Sequence, residues 1–170
     1  MVSPSNTVTP SASRKFFLFV SALVCFALLF SYEVFAQSEE LLRLNQQALV
    51  LQLKGDYKGA AELGRKALDI AEREFGPGHP NVAVNLNNLG LLYHAQGRYA
   101  EAEPLFKRAL AIREKALGPN HPAVATSLQN LAEVYTIQGR YAQAEPLYKR
   151  PLAITEKALG PDHLPGKTVA

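Results

Sequence analysis

The sequence carries one stretch twice in tandem. Residues 79–120 and 121–162 align without a gap and are identical at 28 of 42 positions. A more divergent copy precedes them over about residues 38–78, with Gln47 and Gly64 where the later copies have a leucine and an aromatic residue. Units of this kind cannot bury their apolar faces alone, so we expect an array in which neighbouring copies stack.

Each copy has the pattern of two helices. Apolar residues recur at intervals of three and four, as in an amphipathic helix. Glycines at positions 55, 97 and 139 divide the copies, and Gly-Pro-x-His-Pro segments at residues 76–80 and 118–122 separate them. Proline ends a helix but is favoured in the first turn of the next one. The first copy predicts helices from Ser38 to about Lys54 and from about Lys58 to Phe75, and the whole pattern predicts six helices in three antiparallel pairs.

The spacing of the marked residues distinguishes between helical repeats, because a period of 42 residues alone would also suit HEAT or armadillo repeats. The order Leu86-x2-Leu89-Gly90-x2-Tyr93, then Ala102-x3-Phe106, resembles the tetratricopeptide repeat, with Leu86 replacing the usual tryptophan. The longer unit, with Leu-Asn-Asn-Leu, Ala-Glu-Pro-Leu and Leu-Gly-Pro-x-His-Pro, resembles the repeats of kinesin light chain and their bacterial relatives over about residues 38–163.

This resemblance implies an all-α, right-handed solenoid of helix-turn-helix repeats. The three repeats would occupy about residues 38–78, 79–120 and 121–162, within a domain of residues 37–163. Ala102 and Ala109 are predicted to let paired helices approach closely, and larger residues fill the space around them, namely Leu89, Tyr93, Phe106 and Leu110. The tyrosines at positions 93, 99, 135 and 141 are predicted to pack rather than to bind a ligand.

The front of the chain has the features of an export signal. Residues 16–30 are apolar apart from Ser21, a length that suits a signal peptide and is short for a membrane span of about 20 residues. Val34-Phe35-Ala36 is a small-x-small cleavage site, so we predict a signal peptide over residues 1–36 and a periplasmic or secreted product. The alternative is an uncleaved inner-membrane anchor over residues 16–36. The single cysteine, Cys25, lies in this segment, so no disulfide is expected in the processed chain.

The end of the chain departs from the repeat. Pro151 stands where alanine is expected in the last helix, and it removes the bond to the Leu147 carbonyl, so it should cost about 3 kcal/mol or kink the helix. Residues 164–170 are expected to form a disordered tail or a truncated fourth repeat. Without a polar capping helix, the face of helix 142–159 is expected to self-associate or fray.

Charge does not indicate a nucleic-acid partner. The formal net charge is +3, and basic residues stand one helical turn from acids, as in Glu62 with Lys66, Glu103 with Lys107, and Glu145 with Lys149. A phosphate-binding surface would need unpaired Lys and Arg side chains on one face.

No arrangement of residues indicates catalysis. His79, His121 and His163 recur once per repeat, about 10 Å apart, too far to share one zinc ion, and a structural role before the helix prolines is expected. His94, on the inner face of the third helix, has no carboxylate or cysteine at ligand spacing and is predicted to contact a partner. We therefore expect no enzyme activity, cofactor, metal or small-molecule substrate.

What remains is the groove that the first helix of each pair lines in tetratricopeptide folds. Its predicted inward positions are Asn45, Leu49, Gln52, Leu53, Val84, Asn87, Leu91, His94, Ala95, Thr126, Gln129, Glu133, Thr136 and Ile137. Amide side chains both donate and accept, so a row of them can bind the backbone of an extended peptide. The predicted peptide-binding residues on this groove are Asn45, Leu91, His94 and Glu133, and the resemblance to the kinesin-light-chain repeats implies Asn87, Asn88, Gln129 and Asn130 as further candidates. For Asn88 and Asn130 the alternative is a structural tie between neighbouring helices.

These features together predict an exported, non-catalytic scaffold that binds a protein or peptide. One alternative is a membrane-anchored subunit of an envelope complex. The other is a fragment of a larger repeat protein whose effector domain is missing.

Overall fold

The computed structural model describes residues 39–159, with side chains up to residue 154. This part of the chain consists of six α-helices and contains no strand. Helix α1 spans residues 39–53, and it is followed by α2 (Tyr57–Phe75), α3 (Pro80–Ala95), α4 (Tyr99–Leu117), α5 (Pro122–Ile137) and α6 (Tyr141–Leu159). From α2 onward each helix packs on its neighbours in the chain, and α3 also contacts α5. The prediction of an all-α solenoid of helix-turn-helix units is confirmed.

Turns and caps fall where the sequence predicts them. Gly97 and Gly139 close the turns within two pairs with φ angles of 72° and 73°, a left-handed conformation that side chains disfavour. His79 and His121 cap α3 and α5, since their Nδ1 atoms accept hydrogen bonds from the backbone N–H groups of Asn81 at 3.2 Å and Ala123 at 3.1 Å. These two histidines therefore have the structural role expected of them, while His163 and Ser38 lie outside the described residues.

The core lies along the seams between consecutive helices. Leu89, Tyr93 and Phe106 belong to one buried cluster, and Leu110 packs against it. Ala102 and Ala109 are fully buried, so α3 and α4 approach closely, as predicted. Of the four tyrosines predicted to pack, Tyr93 and Tyr135 are buried and Tyr99 packs on the main cluster.

The prediction for Tyr141 is wrong, because 67% of this residue is exposed. Its counterpart Tyr99 is covered by the ring of His94, with the two ring centroids 5.2 Å apart. Thr136 stands in the place of His94 one repeat later, and it is too short to cover the second tyrosine in the same way.

The Phe106 side chain packs directly on Gly90 and fills the space between the two helices of the second repeat. The phenyl ring is fully buried, and a Cβ atom at position 90 would lie only 2.6 Å from the Phe106 Cε1 atom. Ala132 occupies the place of Gly90 in the third repeat, and its aromatic counterpart Tyr148 stays 43% exposed. In the second repeat the ring can pack this closely on α3 because Gly90 has no side chain.

Arginines on the second helix of a pair join one repeat to its neighbour. Arg108 pairs with Glu72 and, one period later, Arg150 pairs with Glu114, both at 2.5 Å. Arg113 is buried and donates to the Ser127 hydroxyl at 2.7 Å, and burial lowers the pKa of its guanidinium group.

Glu103 ties α4 to the turn that follows α5. Arg140 contacts its carboxylate at 2.6 Å and lies 4.1 Å from the centre of the Tyr135 ring. Burial opposes ionisation of Glu103, but hydrogen bonds from Lys107 and Arg140 outweigh it, so the pKa of this carboxyl is below its ordinary value. The predicted helical pairs of Glu103 with Lys107 and Glu145 with Lys149 are both present, while Glu62 and Lys66 form no ion pair within the described residues.

Helix α6 continues through Pro151 to Leu159. Pro151 is buried, and beyond it Ile154 is 3% exposed and packs in a cluster with Val124 and Leu128. The lost backbone hydrogen bond therefore does not end the helix, because packing on α5 holds both halves of α6 in place.

We expect Gly90→Ala to lower the free energy of unfolding by about 1–3 kcal/mol, because the new methyl group displaces the Phe106 ring. The matched control is Gly64→Ala, where the added Cβ would lie 3.4 Å from its nearest neighbour, an ordinary contact. That variant should be more stable by about 0.5–1 kcal/mol, since alanine restricts the unfolded chain. Thermal and urea unfolding measure both, and equal effects of the two changes would contradict this packing account.

We expect Glu103→Gln to lower the free energy of unfolding at pH 7 by about 1–3 kcal/mol, because two cations lose their buried partner. A carboxyl whose pKa is depressed by folding stabilises the protein above its unfolded pKa of about 4.3, and this contribution is lost as pH falls through the folded pKa. The variant should therefore lose less stability than the wild type between pH 5 and pH 3. Glu62→Gln removes an exposed carboxylate on α2 that forms no ion pair within the described residues, and it should change this pH profile little; an equal change in both variants would contradict the assignment.

Candidate functional site

Helices α1, α3 and α5 each present a stripe of exposed side chains, and we call these three stripes the first-helix wall. The stripes repeat with the 42-residue period, and the contact between α3 and α5 joins two of them into one surface. Apolar members stay well exposed, among them Leu49 at 54%, Leu91 at 39% and Ile137 at 47%. The stripes consist of Leu42, Gln46, Leu49, Leu53, Val84, Asn88, Leu91, Ala95, Thr126, Gln129, Glu133 and Ile137, with Asn130 half-buried beside them.

The structure places most of the predicted binding residues on this wall. Asn88, Leu91, Gln129 and Glu133 are exposed, and Asn45, His94 and Asn130 are half-buried. The exception is Asn87, which is only 7% exposed. Glu133 is the one formally charged side chain among the stripe residues, so the described wall is mainly neutral amide and aliphatic.

Two polar contacts join α3 to α5 on the wall side of the seam between the second and third repeats, among the described residues. The Asn130 side-chain amide donates to the Asn87 Oδ1 atom at 2.8 Å. Asn130 thus links two neighbouring helices, which was the alternative to its role in peptide binding. His94 Nε2 lies 3.5 Å from Glu133 Oε1. The expectation that His94 has no carboxylate neighbour is wrong, because it considered spacing along the sequence only. Stacking of the repeats brings Glu133, 39 positions later, next to this histidine.

The seam between the first and second repeats is open at the same place. A pocket of about 330 Å³ lies between α1 and α3. Its amide-bearing residues are Asn45, Gln46, Gln52, Asn85 and Asn88, and its other lining residues are Ala48, Leu49, Gly64, Leu91 and Leu92.

The repeat period explains why this pocket exists. Gly64 occupies the position of Phe106, so the first repeat has no ring to fill the space. Asn45 and Asn88 occupy the positions of Asn87 and Asn130, yet no hydrogen bond joins them in the described part of the chain. The ring and the amide contact that close the wall side of the second seam are therefore both missing from the first.

Asn85 is a pocket residue that sequence reasoning missed. It is 5% exposed, and its side-chain nitrogen donates to the Asn81 carbonyl at 2.9 Å. Its Oδ1 atom is buried and has no hydrogen-bond partner among the described residues. Gly64 was the feature of the sequence that could have indicated this pocket, because a repeat without the aromatic ring leaves the space of that ring open to neighbouring side chains.

Residues 39–159 contain neither a metal-binding cluster nor a membrane-spanning helix. This part of the chain holds no group of three or more His, Cys, Asp or Glu residues placed to bind a metal ion. None of its helices has the length and apolar character needed to cross a membrane. The predicted signal peptide or anchor lies outside the described residues.

The profile of the tetratricopeptide repeat matches residues 40–115 and, in an overlapping register, residues 86–157. The chain belongs to the tetratricopeptide-repeat family. Its repeats are of the kinesin-light-chain kind, and the array is a protein-interaction scaffold of a fold that is generally non-catalytic. No curated protein sequence matches the chain.

Three solved structures are similar to this tetratricopeptide array. The nearly identical TPR-like repeats assigned to a kinesin light chain of Podosopora anserina are 28% identical, with a TM-score of 0.65 over 72% of this chain and 58% of that one. BtubC (BKLC) from P. vanneervenii is 26% identical, with a TM-score of 0.66 over 76% and 52% of the two chains. The chain thus spans little more than half the length of either relative.

The third structure is the TPR domain of Arabidopsis FLU. It is 21% identical, with a TM-score of 0.63 over 71% of this chain and 98% of that domain. At this identity the likeness shows the fold alone.

Proposed function

We propose that the first-helix wall binds an extended segment of a protein partner and that the chain acts as a non-catalytic scaffold. The observation that supports this best is the row of exposed amide and aliphatic side chains on α1, α3 and α5. Amides can bond a peptide backbone whatever its sequence, while leucines contact its apolar side chains. The described stripes carry no lysine or arginine, so a clamp for a terminal carboxylate is not proposed.

The proposed compartment follows from residues 1–36. If this segment is a signal peptide, the partner is periplasmic or secreted; if it anchors the chain, the scaffold is an envelope-complex subunit. Determining the N-terminus of the processed protein distinguishes the two, since cleavage after Ala36 leaves Gln37 first. The remaining alternative, a fragment of a larger repeat protein, predicts further 42-residue units in the neighbouring coding sequence.

A second proposed interaction is self-association through the outward face of α6. In α4 the corresponding positions, Tyr99, Glu103, Phe106 and Leu110, are half-buried or buried. In α6 they are Tyr141, Glu145, Tyr148 and Leu152, and 65% of Leu152 is exposed. Lys149 borders the same apolar groove, and nothing covers it within the described residues.

The chemistry of this face favours a second copy in the antiparallel orientation. The face of α1 carries Arg43 where α5 has Ser127, so head-to-tail stacking would bury a charge. Such stacking would also place Asp56 against Glu145, where Arg140 meets Glu103 in the array. Two antiparallel α6 helices instead bring Tyr141 opposite Leu152 and Glu145 beside Lys149 of the other copy, a self-complementary contact.

A charge-reversal pair tests this contact in the full chain. Glu145→Lys and Lys149→Glu should each weaken the homodimer by about tenfold or more, since each puts like charges together. A mixture of the two variants should associate again, because every cross-pair is then complementary, whereas Glu62→Lys on α2 should have no effect. Sedimentation velocity measures this, and a monomeric wild type, or a dimer insensitive to both reversals, would exclude the proposed interface.

Pull-downs with the full chain test the peptide-binding proposal. Asn88→Ala and Gln129→Ala remove exposed amides that bond no other described side chain, so each should weaken partner binding by about two- to tenfold without lowering stability. Lys66→Ala on the exposed face of α2 is the matched control. A partner retained equally by all three variants would contradict the proposed site.

A further inference from the structure

We infer that the pocket between α1 and α3 binds the phenyl or phenol ring of a partner side chain, in the space that the array's own ring fills one repeat later. This inference rests on the proposed peptide-binding function and specifies its main apolar anchor.

The second seam shows what the space accommodates. There the Phe106 ring is fully buried against Gly90, and the amides of Asn87 and Asn130 close over the wall side at 2.8 Å. The first seam has the same helices, turns and register, but Gly64 supplies no ring. What is left is a pocket of about 330 Å³, open on the first-helix wall.

The lining of the pocket suits an aromatic guest. Ala48, Leu49, Leu91 and Leu92 supply apolar contacts, and Leu49 and Leu91 are exposed although they border it. Burying a ring here removes apolar surface of both guest and pocket from water, which is the main favourable term for such an anchor.

Polar groups at the pocket suit the atoms that flank such a ring. Asn45 and Asn88 line it without bonding each other, so their amides are available to the backbone on either side of the guest residue. The Asn85 side chain also lines the pocket, and its buried Oδ1 atom accepts no hydrogen bond among the described residues.

The test fills the pocket from within. Ala48→Gly combined with Gly64→Phe copies the Gly90 and Phe106 pair into the first repeat, and Lys66→Ala on the exposed face of α2 is the control that leaves the pocket unchanged. The full chain, immobilised through a C-terminal tag, is screened with a phage-displayed library of random dodecapeptides. Selected peptides are then synthesised and their dissociation constants measured on all three proteins.

We expect selected peptides to share a tyrosine or phenylalanine whose replacement by alanine weakens binding by about tenfold or more. The filled variant should lose the same factor, and Lys66→Ala should stay within about twofold. The filled variant should also melt at a higher temperature, which shows that it folds. If it does not fold, Gly64→Leu serves as the filling change.

Two outcomes separate this inference from the proposed function. Peptides that need Asn88 and Gln129 but contain no aromatic residue, or that tolerate the filled pocket, would overturn the inference and leave the peptide-binding function standing. Peptides that ignore the wall variants and the filling change alike would overturn both.

Discussion

The packing of one ring on one backbone glycine governs how far this array closes. In the second repeat Gly90 lets Phe106 lie flat between α3 and α4, and the side chains of the wall then reach across to the next repeat. The third repeat has Ala132 and a partly exposed Tyr148. The first has no ring at all, because Gly64 replaces it. Two positions in each repeat, those of Gly90 and Phe106, therefore differ between the copies and set this packing.

This graded packing gives a nearly uniform repeat a non-uniform surface. The second seam is joined on its wall side by the Asn87 and Asn130 hydrogen bond and by His94 beside Glu133. The first seam keeps the corresponding amides apart around a pocket. A tetratricopeptide array can thus be closed on its wall side in the centre, where the ring and the amide contact are present, and receptive at one end, where the repeat has diverged. Divergence of a repeat is here the source of a candidate site rather than of a defect in the fold.

Much of the fold could be predicted from the sequence because its signals are local. Glycine and proline at a fixed period set the helix ends, and the histidines before Pro80 and Pro122 cap the next helices. The contacts across seams could not be predicted in the same way. The bond of Asn87 to Asn130 and the approach of Glu133 to His94 depend on the stagger between repeats, which a single period does not specify. The exposure of Tyr141 likewise depends on a neighbour, Thr136, that is too short to cover it.

The central claim is that partners bind the first-helix wall at its open end. Photo-cross-linking in living cells tests it directly, with benzoylphenylalanine placed at position 49 or 91 on the wall, or at position 66 on the exposed face of α2. The account predicts covalent adducts with the same partner from positions 49 and 91 and none from position 66. Adducts from position 66 alone would show that the partner binds the outer helices, and would contradict the account.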